Sequence, residues 1–261
     1  MDINTFYKHA SGVIHNIRAV VIAGGRGTRL YPLTRNRAKC MLPINGKPLL
    51  EHVIRYLASY GFTEIVVTVG KKRKQIVEYF GDGSKLGVSL LYSLEKKALG
   101  TAGSFKNAEK LISNTTLVMQ GDTLTDFNLN KIMSFHKKKK ALATIAVTRA
   151  EDTKEYGVVG IDAYNRIIDF WEKPKESMGN LVNSGIYVLE RDVLNLIPEN
   201  TKFDFSGDLF PLLLKRRLPF YALEMEGYWF DIGTPENYKK AVEYAMRRYK
   251  VRKNINDRLL S

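Results

Sequence analysis

Apolar residues in this chain fall into short runs that alternate between two kinds of spacing. Runs at residues 19–23, 65–69, 88–92 and 117–120 are nearly continuous, as strands buried on both faces require. Between them, apolar positions recur at helical spacing over 48–60, 72–80 and 103–112. This succession is the sequence form of βαβ units, and it predicts a mostly parallel sheet with helices on its faces. A helix at 128–139 follows, and then the pattern changes. Strands at 143–148, 157–161, 167–171 and 182–189 are joined by turn signals such as Asp162-Ala163-Tyr164-Asn165 and Lys173-Pro174-Lys175-Glu176. The second half is therefore expected to be mixed sheet. A last helix is expected from Pro235 to about Lys250, with Thr234 as its cap.

The first apolar run opens directly onto Ala23-Gly24-Gly25-Arg26-Gly27-Thr28-Arg29. Glycines at such a turn let the backbone come within hydrogen-bonding distance of an anion. Arg29 can grip two phosphate oxygens and Lys39 can supply a point charge, so a nucleotide polyphosphate is the expected ligand. Arg26 is expected only to flank it. Two better-known glycine loops do not fit. A dinucleotide fingerprint opened by Gly25 and Gly27 needs a third glycine where Leu30 stands, and no Gly-Lys-Ser or Gly-Lys-Thr occurs at Walker spacing. Farther on, Asp122 follows the apolar run 116–119 and Asp231 follows Tyr228-Trp229-Phe230. Two carboxylates meeting beside phosphates suit Mg²⁺, which keeps several waters and takes one or two protein oxygens.

Length and charge narrow the class. The 261 residues can bury one sizeable core, and no linker or internal repeat is visible, so one domain over 18–250 is expected, preceded by an extension at 1–17 and followed by a tail at 251–261. Cys40 is the single cysteine, which excludes an internal disulfide and suits a reducing compartment. No apolar run approaches the length of a membrane span, so a cytoplasmic protein is expected. The 41 Lys and Arg against 27 Asp and Glu give a formal charge of +14, which favours acidic ligands. Those cations do not gather into one reading head with interleaved aromatics, so nucleic acid is not the expected partner. Lys137 to Lys140 end a helix, Lys71 to Lys74 open one, and Arg247, Arg248, Lys250, Arg252 and Lys253 form a basic tail.

The string G-x-G-T-R-L-x-P-L-T, followed by K-x-M-L-P-I-x-G-K-P, resembles the signature of the sugar-1-phosphate nucleotidylyltransferases, or NDP-sugar pyrophosphorylases. Further landmarks agree in order: Gly100-Thr101-Ala102-Gly103, Gly121-Asp122, Tyr156-Gly157-Val158-Val159, Glu172-Lys173-Pro174, Asn183-Ser184-Gly185-Ile186-Tyr187 and Trp229-Phe230-Asp231-Ile232-Gly233-Thr234. The likeness covers about residues 18–246. It implies a Rossmann-like α/β fold of the nucleotide-diphospho-sugar transferase type, and an enzyme that joins a nucleoside triphosphate to a sugar-1-phosphate by direct, Mg²⁺-dependent displacement of pyrophosphate.

By the same likeness, Arg29, Lys39, Asp122, Lys173 and Asp231 are the catalytic group, with Asp122 and Asp231 holding the metal. Ala23, Gly24, Gly25, Gly27, Thr28, Gly100, Thr101 and Gly121 join Arg29 in binding the nucleotide. Gly157, Glu172, Lys173 and Asn183 bind the sugar phosphate, and Gly185 borders the sugar. The helix after Gly100-Thr101-Ala102-Gly103 is expected to offer free N–H groups to the nucleoside. The segment Phe203-Asp204-Phe205-Ser206-Gly207-Asp208-Leu209-Phe210-Pro211 is similar to one in mannose-1-phosphate guanylyltransferases, which implies GTP and mannose-1-phosphate. Glucose-1-phosphate with dTTP or UTP, and a heptose phosphate with GTP, are the alternatives within the family. A silent NDP-sugar-binding regulator is the alternative from another class, and a homo-oligomer is compatible with either. Cys40 departs from the proline, alanine or glutamine common after the clamp lysine.

Overall fold

The computed structural model of the protein describes residues 17–259 except Arg26 and Ser113, with side chains up to Arg247. The expected N-terminal extension, save residue 17, and the later side chains of the basic tail lie outside the described residues, as does Arg26. Strand β1 (Arg18–Ile22) carries Ala19, Val20 and Val21 without exposed surface, because it is central and covered on both faces. A glycine turn leads to the small hairpin β2 (Pro43–Ile44) and β3 (Lys47–Pro48), then to α1 (Leu49–Ser59). Leu50, Val53, Ile54 and Leu57 of α1 sit at helical spacing and pack on the same side of the sheet as Ala19 and Val21. The chain continues through β4 (Glu64–Val69), α2 (Arg73–Phe80), β5 (Ser89–Leu94), α3 (Gly100–Asn107), β6 (Thr115–Gln120), β7 (Thr123–Thr125) and α4 (Leu129–Lys139).

The first half is the parallel array that the alternating pattern predicts. β1 lies between β4 and β6, parallel to both, and β5 extends the sheet beyond β4. β8 (Ala143–Arg149), β9 (Gly157–Ile161), β10 (Ile167–Glu172) and β11 (Leu181–Glu190) then bring the mixed sheet. β11 runs antiparallel to β6 on one edge and to β8 on the other, and its first residues meet β9, which pairs with β10. Its ladder to β8 breaks between Asn183 and Tyr187. Gly185 sits in that break at φ +81°, where an added Cβ would lie 2.9 Å from the Gln120 side chain. Only glycine fits this bulge, and before it Leu181, Val182 and Asn183 still pair with Arg149, Thr148 and Val147 of β8.

Besides the two-residue strands β2 and β3, four short elements escaped the hydrophobic pattern. They are β7, α5 (Phe210–Lys215), β12 (Phe220–Glu224), which joins β8 in parallel, and β13 (Trp229–Asp231), which pairs with β7 as a hairpin outside the main sheet. Each is too short to show a period of its own. Helix α3 begins at Gly100, three residues earlier than its periodicity predicts, so the Gly-Thr-Ala-Gly string is its first turn. The last helix, α6 (Pro235–Leu259), starts as expected, with the Asn237 N–H donating to Thr234 Oγ1 at 3.2 Å. It continues past Lys250 through the expected tail, since no glycine or proline interrupts 236–259. Among the described residues, no helix is long and apolar enough to cross a membrane.

Candidate active site

The parallel strands β1, β4 and β6 end side by side, and their backbones close in. The Ala23 N–H donates to Thr68 O at 3.1 Å and the Gly121 N–H to Ile22 O at 2.9 Å. An added Cβ at Gly121 would lie 3.0 Å from Ile22 O, and one at Gly70 would lie 3.0 Å from Gly24 O. Glycine is needed there for approach. At Gly27 it is needed for shape as well, since φ is +65° and an added Cβ would touch Lys39 Cβ at 3.0 Å. Thr34 Oγ1 donates to Gly27 O at 2.6 Å and pins the turn.

This turn forms one wall of a cavity of about 610 Å³. Ala23, Gly24, Gly25, Gly27, Thr28, Arg29, Gly100, Thr101 and Gly121 all line it, together with Lys39 and Asp122. A second cavity of about 380 Å³ adjoins it, lined by Gly157, Glu172, Asn183 and Asp231, among others. Asp122 lines both.

Charged groups converge on that border. Lys39 Nζ donates to Asp122 Oδ2, with the two side chains 14% and 25% exposed. Burial works against the Lys39 charge, but the Asp122 and Asp231 carboxylates outweigh it and raise the lysine's pKa. Asp231 faces the opposite balance. Burial and then the Asp122 charge push its carboxyl up to about 6, against the pull of Lys39, Arg29 and Lys173. The five residues expected to be catalytic thus lie within electrostatic reach of one carboxylate. Contact geometry supports this for Arg29: an added Cβ on Gly233 would lie 2.9 Å from Asp231 Oδ2 and 3.5 Å from a terminal Arg29 nitrogen.

Two of the expected residues sit differently from the rest. Lys173 does not line the second cavity. It stands exposed at its rim, with φ +48° and its N–H donating to Tyr156 O at 3.1 Å. Arg29 reaches across the mouth and pairs with Glu155 at 2.8 Å, both side chains more than half exposed. An ion pair so open to water contributes about 0–1 kcal/mol, so a triphosphate can displace it.

The first turn of α3 corrects the expectation of free N–H donors. The Thr101 N–H donates to Asp204 Oδ1 at 2.9 Å and the Gly103 N–H to Phe203 O at 2.8 Å. A segment a hundred residues downstream satisfies them, which no local pattern announces. The same distance in sequence hid Glu155, Asp204 and Ser206, which line the second cavity. Glu95 was missed as well. It is buried against Gly24 on the wall of the first cavity, and its Oε1 accepts from Ser104 Oγ at 2.7 Å. Burial raises its pKa. Its only signal in the sequence was a carboxylate just past the apolar run that ends β5. Cys40 lies buried beside Lys39, and burial pushes its thiol up to about 12, which leaves it unreactive.

Residues 18–247 match the family described as Nucleotidyl transferase. This chain belongs to that family. It is 37% identical over 248 residues to a UTP–glucose-1-phosphate uridylyltransferase of Synechocystis, covering 89% of this chain and 64% of that protein. It is 36% identical over 226 residues to a mannose-1-phosphate guanylyltransferase of Mycobacterium tuberculosis, covering 86% and 63%. The chain thus spans less than two thirds of the length of either relative. The crystal structure of HddC from Yersinia pseudotuberculosis complexed with GMP-PN superposes with a TM-score of 0.76 at 29% identity, covering 87% of this chain and 99% of that chain.

Proposed function

We propose that this nucleotidyl transferase moves a guanylyl group from GTP to mannose-1-phosphate, forming GDP-mannose and pyrophosphate. One observation carries the reading: two cavities of substrate size adjoin at Asp122, with Lys39 bonded to that carboxylate and Asp231 beside it. Two phosphorylated reactants can then lie end to end. The sugar phosphate oxygen attacks the α-phosphorus, the bond from that phosphorus to the bridging oxygen of the leaving group breaks, and pyrophosphate departs with the electron pair. The protein's part is to position the reactants and offset their repulsion. The glycine turn and Lys39 hold the triphosphate, Arg29 leaves Glu155 to join them, and Lys173 meets the sugar phosphate from the rim.

Asp122 and Asp231 would hold Mg²⁺. The donor set fits, because the Asp122 carboxylate stands beside the buried Asp231 carboxyl and raises its proton affinity, a crowding of charge that a cation relieves, and Mg²⁺ completes its shell with water and phosphate. When bound, the ion would offset charge on the triphosphate.

Guanine is favoured over other bases by Glu95. An ionised carboxylate only accepts hydrogen bonds, and guanine alone presents two adjacent donors, N1–H and the N2 amino group, along one edge. Uracil and thymine offer a single donor, N3–H, flanked by two carbonyl oxygens that a carboxylate would meet. The similarity to the guanylyltransferase and the GMP-PN complex of the structural neighbour support the same base. Mannose rests on the Phe203–Pro211 likeness and on that relative's name.

The test is pyrophosphate release from a matrix of nucleoside triphosphates and sugar-1-phosphates. GTP with mannose-1-phosphate should give the highest kcat/KM, and no release from any pair would remove the reading. Glu95→Gln should lower the preference for GTP over UTP by about tenfold or more, the size of one bidentate base contact. An unchanged preference would release Glu95 from that role.

A further inference from the structure

The Phe203–Pro211 segment has a physical task besides its family likeness. It crosses the first turn of α3 so closely that side chains are excluded: an added Cβ at Gly100, where φ is +72°, would lie 2.6 Å from Phe203 O and 2.9 Å from Asp204 Oδ1. Hydrogen bonds run both ways across the contact. The Phe203 N–H donates to Leu99 O at 2.8 Å, and the Phe205 N–H donates to Thr101 Oγ1 at 2.9 Å. Thr101 in turn gives its N–H and its hydroxyl to Asp204 Oδ1, at 2.9 and 3.2 Å. Beneath them Phe205 is 1% exposed, its ring 4.9 Å from Tyr187 and 5.8 Å from Phe210 between centroids. On the other side, Asn183 Nδ2 donates to Ser206 Oγ at 3.2 Å. The segment is a fixed partition between the two cavities.

Thr101 and Asp204 line both of them. Asp204 Oδ1 is engaged by Thr101, while Oδ2 has no hydrogen-bond partner among the described residues. A carboxylate oxygen left free on a cavity wall can accept a hydrogen bond, and a ligand hydroxyl supplies the donor. The next residues along the chain, Ser206 and Gly207, line the second cavity and not the first. We propose that Asp204 is a sugar-specificity residue: its Oδ2 accepts a hydrogen bond from a ring hydroxyl of the sugar-1-phosphate, while its Oδ1, clasped by Thr101, fixes that contact to the wall of the nucleotide cavity. The inference rests on the reading that a sugar-1-phosphate occupies the second cavity.

Asp204→Asn tests it, because an amide keeps an oxygen for the Thr101 donors and replaces the free acceptor with a donor. The KM for mannose-1-phosphate should rise by about tenfold to a hundredfold, the range for a hydrogen bond to a charged group, while the KM for GTP stays within about twofold. Monodeoxy analogues of the sugar phosphate locate the hydroxyl. One of them should lose the same factor with the native protein and lose nothing further with D204N. An unchanged sugar-phosphate KM, an equal rise for GTP, or the absence of any analogue whose penalty vanishes in D204N overturns the proposal. So does a penalty that vanishes for 2′-deoxy-GTP instead, which would move the contact to the ribose. Pyrophosphate release by the native chain with D204N unaffected removes this contact alone; no release by the native chain removes both readings.

Discussion

The first cavity, proposed for the nucleotide, takes its walls from the ends of β1 and β6, the residue after β5 and the first turn of α3, whereas the second, proposed for the sugar, is assembled from antiparallel β9, β10 and β11, the β7–β13 hairpin and the partition at 203–207. In the first, a continuous stretch of chain supplies the glycine turn, Arg29 and Lys39. In the second, Gly157, Glu172, Asn183, Asp204 and Asp231 come from five separate places in the sequence. Backbone conformation sets the geometry of the nucleotide cavity, and so glycines mark it. Packing sets that of the sugar cavity, where Phe205, Phe210 and Tyr187 form one buried cluster and the Trp229 indole donates to Ser184 O at 2.9 Å to hold the hairpin on β11. The wall made by residues 23–39 is one segment, and it is less exposed to distortion elsewhere, although Glu95, Thr101, Gly121 and Asp122 complete that cavity from other elements. The second cavity has no such segment and depends on the core beneath it.

The sharpest way to break this contrast is Phe210→Ala. Phe210 has no exposed surface and packs on Phe170, Tyr187, Phe205 and Phe220. Denaturant unfolding should show a loss of about 3–5 kcal/mol, and the folded variant should bind sugar phosphate more weakly with nucleotide affinity largely kept. Equal losses for both ligands would show that the halves are not built differently. Next comes the shared border. Asp122→Asn should reduce metal-dependent turnover by about a hundredfold to a thousandfold while thermal melting stays nearly the same, and retained turnover would detach Asp122 from the chemistry.

Each half also buries a histidine, which offers a smaller comparison by pH. His52 on α1 bonds through Nε2 to Ile44 O of β2 at 2.9 Å. His136 on α4 bridges Thr144 of β8 and Glu190 of β11, at 2.8 and 3.1 Å. Burial lowers both pKa values from 6.5, with Glu190 partly opposing it at His136. A depressed histidine takes up its proton more readily when unfolded, so this stability is whole above pH 6.5 and lost as pH falls below it. Melting temperature followed downward through that pH should decline, and His52→Gln should make the decline shallower. A slope identical to that of the native chain would exclude His52 as a contributor. The smallest effect is expected at the mouth. Glu155→Gln should change stability by no more than about 1 kcal/mol and lower the KM for GTP by at most about fivefold, since the pair it breaks is half exposed. A rise in that KM would mean that Glu155 helps the nucleotide rather than competing for Arg29.

The sequence alone settled what depends on near neighbours along the chain. The apolar period separated the parallel half from the mixed half, the signature after β1 identified the glycine turn, and Thr234 with Pro235 gave the start of α6. Backbone chemistry explains why: alternation, glycine and proline act within a few residues, so they can be read without coordinates. Tertiary structure alone decided which distant groups meet. Glu95 at Gly24, Glu155 at Arg29 and Asp204 at Thr101 join residues far apart in sequence or on separate elements, and their partners are fixed by sheet order and by the packing of Phe205 and Phe210. A carboxylate carries no mark in the sequence of which cavity it will face. Only the packing of the 203–205 segment on α3 brings Asp204 to the wall that both cavities share.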